Sequence, residues 1–279
     1  MPLKAPLDRF LIRVNYLNGL LHHLDWQLGT FRDRAREQLK NADSPGPHFF
    51  VSTSIVVRDL TEWPANGWAV YYPTGGFGTK DEEFLAVADK LISREAAWAT
   101  TRGFEAFESC LKDLVTAYYH AHPTAADPAA LRKHERRLRQ KGLDPSDLNF
   151  WSTFVRLEYR SADNVLGVLR QVAPQLVEAE HKNNRACDLT RWFAVVSELR
   201  HAVTHSSNLT IPKEKWSPLG PDGQKLAEEM FSGVQQSGAY ELQPTPKQAN
   251  EALCRFAEYG YAAFKALCIA GDHEWHILR

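Results

Sequence analysis

Two side chains close together in the sequence, Arg200 and His205, could act on a phosphate group. The imidazole of a histidine has a pKa near neutrality, so it can take or give a proton as a general base or acid. The guanidinium of an arginine stays charged and presents a planar fork of donors that matches phosphate oxygens. The segment Glu198–His205 is therefore the part of the chain in which we expect chemistry, if the protein has any.

The segment that carries these residues, Leu189–His205, has the period of an amphipathic helix. Its apolar side chains recur at steps of four and three and point within about 20° of one direction, which must be the core. They are Trp192, Val196, Leu199 and Val203. Arg200 lies about 80° from that direction and about 140° from His205, while Glu198, His201 and His205 share the opposite, polar side. Unless the last turn unwinds after Val203, one helix does not easily aim both groups at one phosphate. Two copies crossing near a two-fold axis could do so.

The run Arg200-His201-Ala-Val-Thr-His205 resembles the motif of HEPN (higher eukaryotes and prokaryotes nucleotide-binding) domains: arginine, a polar residue, three variable residues and histidine. The apolar lead-in Trp192–Leu199 and the polar turn with a short strand at Ser206–Ile211 are also similar to that family. Residues Gly103–Leu114 resemble the first core helix of its larger members. His201 stands where asparagine is most common in the family. The resemblance covers roughly residues 82–267 and leaves the first eighty residues outside it.

The resemblance implies a metal-independent endoribonuclease whose active site is composed at a homodimer interface. The RNA 2′-hydroxyl would attack the adjacent phosphate and leave 2′,3′-cyclic phosphate and 5′-hydroxyl ends. His205 would act as general acid or base, and Arg200 would stabilise the charge on the phosphate oxygens. His201 would orient the site or add a hydrogen bond, and Glu198 would hold an imidazole or the partner's Arg200. We expect no cofactor and no metal. The resemblance also implies a toxin or antiviral defence role, and with it a protein inhibitor or regulator.

Structural roles are the alternative for each of these side chains. Arg200 could close a salt bridge with Glu198 or Asp188, and His205 could be a helix-end residue favoured by the helix dipole. His201 and His205 also have a spacing used by zinc ligands, although no third ligand is evident nearby. For the whole protein, the alternative to a ribonuclease is a non-catalytic HEPN-like helical module that binds a nucleotide, RNA or a protein partner.

The overall charge does not favour nucleic acid, so RNA capture would need a local basic surface. Lys and Arg number 33 against 34 Asp and Glu, which leaves a formal charge of -1. The segment Leu131–Lys141 carries six basic residues in eleven positions and is either a solvated helix face or a patch that tracks RNA phosphates. The candidate RNA-binding residues are Arg132, Lys133, Arg136, Arg137, Arg139 and Lys141.

The remaining patterns predict a mainly α protein, a helical bundle of HEPN type with a small β-hairpin element in the N-terminal region. We divide the chain into residues 1–81, an N-terminal helix plus the hairpin, and residues 82–279, the HEPN-like helical domain. A capping pattern at Thr245–Gln248 marks the start of the last helix. The first predicted helix starts at Leu7, continues through the charged run Arg32–Glu37 and is stopped by Ser44–Pro47. The other predicted helices cover residues 82–122, 131–141, 150–160, 161–179, 189–205 and 222–230. The predicted strands of the hairpin cover residues 48–57 and 68–72. Two further predicted strands, residues 209–211 and 240–243, pair with each other.

The sequence also indicates where the protein resides. No segment approaches the roughly 20 apolar residues that a membrane-spanning helix needs. The N-terminus lacks the uninterrupted apolar stretch and the cleavage site of a signal peptide. The four cysteines have neither zinc-site nor redox-motif spacing, which favours reduced thiols. We therefore expect a soluble cytoplasmic protein that does not contact a membrane.

Overall fold

The computed structural model of the chain describes residues 2–40, 57–58, 70–71, 81–205, 209–236 and 239–276. Over these ranges the protein is mainly helical, with small antiparallel sheets, so the prediction of a mainly α fold is confirmed. The assignment to a bundle of HEPN type stays a prediction. Among the residues that the structure describes, no helix combines the length and the apolar character needed to cross a lipid bilayer.

Ten α-helices and five short strands make up the described ranges. The helices are α1 Lys4–Lys40, α2 Asp81–Ala121, α3 Pro128–Gln140, α4 Leu148–Glu158, α5 Ala162–Val172, α6 Gln175–His181, α7 Leu189–His205, α8 Lys213–Trp216, α9 Gly220–Phe231 and α10 Pro246–Ala270. The strands are β1 Val57–Arg58, β2 Val70–Tyr71, β3 Thr210–Pro212, β4 Gly233–Gln236 and β5 Ala239–Leu242. Short 3-10 turns lie at Pro123–Ala125 and Ser217–Leu219.

The chain forms two compact units, Met1–Leu24 together with Ser93–Arg279, and Asp25–Ile92. In the smaller unit, Arg32 of α1 donates a 3.2 Å hydrogen bond to Asp89 of α2, and β1 pairs with β2 in antiparallel register. This pairing lies within the two predicted strands of the hairpin. The rest of those strands, and the Pro- and Gly-rich segments at 44–47 and 75–78, lie outside the described residues. A compact unit need not be a domain, so the predicted division after residue 81 stays a prediction.

The first helix buries one apolar face in the core of the larger unit. The side chains of this face are buried at Leu7, Phe10, Val14, Leu17 and Leu21. The ring of Phe10 lies 6.2 Å from the ring of Phe107 in α2. On the other side, Gly260 lets α10 approach closely, because a Cβ there would lie 2.5 Å from the Phe10 ring. The first part of α1 therefore packs against both α2 and α10.

Two helix predictions near the C-terminal half of the chain have opposite outcomes. The predicted start of α10 is confirmed: Thr245 Oγ1 accepts a hydrogen bond from the Gln248 N–H, and Gln248 Oε1 accepts one from the Thr245 N–H. The single helix predicted over 161–179 is wrong, because α5 ends at Val172 and α6 begins at Gln175. Pro174 lacks an N–H and disfavours the helical conformation of the residue before it, so the helix breaks at this point.

The three-stranded sheet has the order β3-β5-β4. Thr210 faces Glu241 and Ile211 faces Tyr240 in antiparallel register, which confirms the predicted pairing of these two segments. Strand β4 was not predicted; its short run Gly-Val-Gln-Gln has little strand propensity, and pairing with β5 orders it. The ring of Trp216 stacks on Tyr240 with centroids 4.0 Å apart, and this contact holds α8 against the sheet.

A buried carboxylate joins α5, α6 and α10. Glu180 is only 1% exposed and accepts hydrogen bonds from Arg170 Nε at 3.0 and 2.9 Å. The hydroxyl of Tyr259 also donates to it. Burial, together with this hydrogen bond, raises the pKa of Tyr259, so the phenol stays a neutral donor. A buried charge of this kind is tolerated only when its oxygens are paired, and here both are.

We expect Glu180→Gln to lower the free energy of unfolding by about 2–4 kcal/mol. The amide has no charge to pair with Arg170, and its NH2 group would face the hydrogen-bond donors of Arg170 and Tyr259. Urea unfolding at pH 7 measures this change. The matched control is Glu178→Gln, on the exposed side of the same helix, which should change stability by less than about 0.5 kcal/mol. Equal stability of the two variants would contradict the structural role of Glu180.

Candidate functional site

Helix α7, which carries the motif, begins and ends where the sequence predicts. Asp188 caps its start: Oδ1 accepts from the backbone N–H groups of Thr190 at 2.9 Å and Arg191 at 3.0 Å, and from the Thr190 hydroxyl at 2.6 Å. Partial burial alone would raise the pKa of Asp188, but these hydrogen bonds, together with His181 at 3.5 Å, outweigh it and hold the pKa below the usual value. The cap therefore favours the charged carboxylate and fixes the first turn of α7.

The apolar side of α7 is buried more widely than predicted. Trp192, Val196 and Leu199 are fully buried, while Val203 is only half-buried. The additional buried residues are Leu189, Phe193, Val195 and Ala202. Ring contacts account for this width: Phe193 stacks on Phe104 of α2 with centroids 5.2 Å apart, and Trp192 lies 4.8 Å from Phe256 of α10. Because several elements cover the helix, its rotation about its own axis is fixed.

Arg200 lies at the edge of this buried side. Its guanidinium carbon is 5.6 Å from the centroid of the Phe104 ring, which is a cation–π distance. The side chain is half-buried, and its Nε has no hydrogen-bond partner among the described residues. The alternative salt bridge with Glu198 or Asp188 is not observed in the described part of the chain. Buried donors without an acceptor are uncommon in proteins, and Arg200 Nε is one of four among the described residues, with Arg32 Nε, Trp192 Nε1 and Arg255 Nε.

Nearby arginines differ from Arg200 in having carboxylate partners. Arg170 binds Glu180, Arg185 binds both Glu251 and Glu258, and Arg191, on the same helix, binds Asp222 at 2.9 Å. Within the described ranges Arg200 has no such ion pair. Its charge is therefore compensated by no side chain of the described structure, and an external anion could approach it.

The other side of α7 borders a cavity of about 370 Å³. Helix α7, strand β3 and helix α8 contribute its described lining, which comprises Glu198, His201, Ala202, Thr210, Ile211, Pro212 and Lys215. Glu198 is half-buried and His201 is exposed. The structure thus brings Glu198 and His201 to one site, as the helical period predicts, and places Arg200 outside that lining. Sequence reasoning missed Lys215, because only the β3–β5 pairing and the Trp216–Tyr240 stack place it beside α7.

His205 is the last residue of α7, as predicted, but its side chain and residues 206–208 lie outside the described part of the chain. The contacts that would relate it to Arg200, or to His201 as a zinc pair, are therefore not tested. Over the residues that are described, no group of three or more His, Cys, Asp and Glu side chains has the arrangement that holds a metal ion.

The six predicted RNA-binding residues lie on or beside α3, and all of them are exposed. Leu138 and Ala130 are the buried residues of that helix. Two of the six have acidic partners, since Lys133 donates to Glu158 at 2.8 Å and Arg139 binds Glu135. The other four, for which no ion pair with a described residue is found, are Arg132, Arg136, Arg137 and Lys141. The surface of α3 therefore remains basic.

The cap of α7 predicts a specific dependence of stability on pH. Asp188→Ala should lower the free energy of unfolding by about 1 kcal/mol at pH 7, because two N–H groups lose their acceptor. Asp188→Asn retains a capping oxygen but cannot titrate. Because the folded-state pKa of Asp188 is lowered, its stabilisation is complete above the unfolded pKa of about 4 and is lost as the pH falls through the folded value. Asp188→Asn should therefore lose less stability than the wild type in acid.

Urea unfolding between pH 7 and pH 3 measures this difference. The control is Asp163→Asn, at an exposed position in α5, which should keep the pH dependence of the wild type. If Asp188→Asn loses stability in acid as steeply as the wild type does, the charged cap makes no contribution.

Comparisons with known proteins assign no role to these residues. A scan against protein-family models and searches of curated proteins and of solved structures found no match for the chain. The similarity of Arg200–His205 to the HEPN motif is therefore a resemblance of one short segment and its helical surroundings. No family membership is shown for the chain.

Proposed function

We propose that the protein is a metal-independent endoribonuclease whose active site is composed by two copies of the chain around Arg200 and His205. The observation that supports this proposal is the environment of the Arg200 side chain. Its half-buried guanidinium lies over Phe104, and its Nε has no acceptor among the described residues. A phosphate oxygen would supply that acceptor, and the motif that contains Arg200 resembles one whose function is RNA cleavage.

The proposed reaction needs no group beyond RNA and protein side chains. The 2′-oxygen forms a bond to the adjacent phosphorus while the bond from phosphorus to the 5′-oxygen breaks. His205 moves a proton in this step, either from the 2′-hydroxyl as a general base or to the leaving 5′-oxygen as a general acid. Arg200 stabilises the negative charge that develops on the non-bridging oxygens. The products carry a 2′,3′-cyclic phosphate and a 5′-hydroxyl.

Two copies of the chain are proposed because the motif residues diverge around α7. About 140° of helical rotation separates positions 200 and 205. Arg200 packs toward Phe104 of α2, whereas Glu198 and His201 line the cavity on the β3 side. A homodimer with two α7 helices near its two-fold axis would supply the complementary residue from the second chain. In this arrangement His201 and Glu198 orient the imidazole or contact the substrate rather than carry out the proton transfer.

The exposed basic face of α3 would hold RNA at a distance from the cleaved bond. Because the formal net charge is -1, such local attraction is needed to bind a polyanion. A role as a toxin or antiviral defence effector, and control by a protein inhibitor, are inferred from the resemblance alone. A cytoplasmic location is likewise an expectation from the sequence.

Cleavage of single-stranded RNA by the purified protein in EDTA tests the proposal. We expect Arg200→Lys and His205→Ala each to lower the cleavage rate by at least about 100-fold, because one loses the bidentate fork and the other the proton-transfer group. The melting temperature should not change in either variant. Arg191→Ala, which removes an exposed arginine of the same helix, serves as the control and should cut RNA normally.

Two outcomes would contradict the proposal. If both variants cut as fast as the wild type, the activity does not depend on this motif. If EDTA abolishes cleavage, the reaction depends on a metal ion and the metal-independent mechanism is wrong. RNA binding by the wild type without any cleavage would favour the non-catalytic helical module.

The role of α3 has its own test. Changing Arg132, Arg136 and Arg137 together to Gln should weaken RNA binding regardless of base sequence. It should also reduce the slope of log affinity against log salt by about 2, since each phosphate contact to a single strand contributes about 0.7. A charge-matched control replaces the exposed lysines Lys182, Lys225 and Lys247 by Gln. An equal loss in both variants would show that only net charge matters.

A further inference from the structure

The cavity beside α7 contains two opposite charges that do not neutralise each other. Glu198, from α7, and Lys215, from α8, both line it. Neither forms an ion pair with the other or with any other described residue. Glu198 is half-buried, whereas Lys215 is exposed. A ligand that offers hydrogen-bond donors at one end and negative charge at the other would satisfy both groups.

The size and the walls of the cavity indicate the class of that ligand. Its volume of about 370 Å³ falls within the range of sites for small molecules. Buried Ile211 and Ala202 provide an apolar wall, and Pro212 adds a further apolar surface at the rim. A mainly apolar lining with a few polar groups is the usual composition of a small-molecule site. These features suit a nucleobase that carries a phosphate.

We propose that this cavity binds one guanine nucleotide of the RNA, with Glu198 contacting the base and Lys215 contacting a phosphate. A carboxylate only accepts hydrogen bonds, and its two oxygens match a pair of adjacent donors. Among the RNA bases, guanine presents such a pair, N1–H and the N2 amino group, on its Watson–Crick edge, which proteins contact in single-stranded RNA. The choice of an RNA nucleotide as ligand rests on the proposed ribonuclease function.

The position of the cavity along α7 places this nucleotide near the site of cleavage. Glu198 and His201 precede His205 by seven and four residues, so they share one side of the helix with the backbone of His205. The cavity therefore lies one to two helical turns from the end of the motif. A guanine held there would select the bond to be cut by its distance from that base. Glu198 and Lys215 are accordingly residues that determine specificity and position the RNA.

Binding of 2′-deoxy oligonucleotides, which have no 2′-hydroxyl and cannot be cleaved, tests the proposal with the intact protein. Fluorescence anisotropy of a labelled single strand with one guanine, in an otherwise thymine sequence, should give an affinity about tenfold higher than the same strand with inosine, which lacks the N2 amino group. Glu198→Gln should abolish this preference. Lys215→Ala should weaken both strands equally and reduce the salt dependence of binding by about 0.7.

The matched controls are Lys213→Ala and Glu214→Gln, at exposed positions of α8 that do not line the cavity. Both should bind like the wild type. Equal affinity of the wild type for guanine and inosine strands, or an unchanged preference in Glu198→Gln, would overturn the proposal. If the protein does not cleave RNA but shows the Glu198-dependent preference, the guanine site stands and the ribonuclease proposal fails. If the protein cleaves RNA but shows no guanine preference, the ribonuclease proposal stands and the guanine site fails.

Discussion

Burial of α7 against the aromatic side chains of α2 and α10 determines the arrangement of the candidate functional residues on that helix. Trp192 contacts Phe256, and Phe193 stacks on Phe104. Burial of each large apolar side chain of this kind contributes about 2–3 kcal/mol, so rotating the helix out of this position would cost several kcal/mol. With the rotation fixed, Arg200 must lie at the aromatic edge and Glu198 on the cavity side. The packing of the core thus determines the positions of the polar residues of α7.

This constraint gives the two sides of α7 different properties. On the α2 side, Arg200 combines partial burial with a ring contact, which reduces its hydration and favours a bound anion. On the β3 side, Glu198 and Lys215 remain in a water-accessible cavity with opposite charges. In the proposed function, one chain would therefore present a site for anionic oxygens at Arg200 and a separate site for a base in the cavity. For one RNA strand to occupy both sites, the strand would have to pass across α7, or the α7 helices of two chains would have to meet.

The parts of this arrangement that could be predicted are those that local patterns determine. The period of Leu189–His205 and the capping box at Thr245 defined α7 and the start of α10, because side-chain spacing and hydrogen bonding within one turn determine them. The contribution of Lys215 was not predicted, since it depends on the short helix α8 and on the stacking of Trp216 on Tyr240, which no local pattern indicates. The break at Pro174 was predictable in principle, because proline marks helix boundaries even where the apolar period continues across it.

The central claim, that Arg200 and His205 of different chains form one site, is tested most directly by mixing inactive subunits. Arg200→Lys and His205→Ala chains, co-expressed with different tags and purified as the mixed dimer, retain one intact Arg200 and one intact His205 on opposite chains. We expect each variant alone to be inactive and the mixed dimer to regain a measurable fraction of wild-type RNA cleavage in EDTA. A mixed dimer as inactive as either variant, beside an active wild type, would contradict the claim.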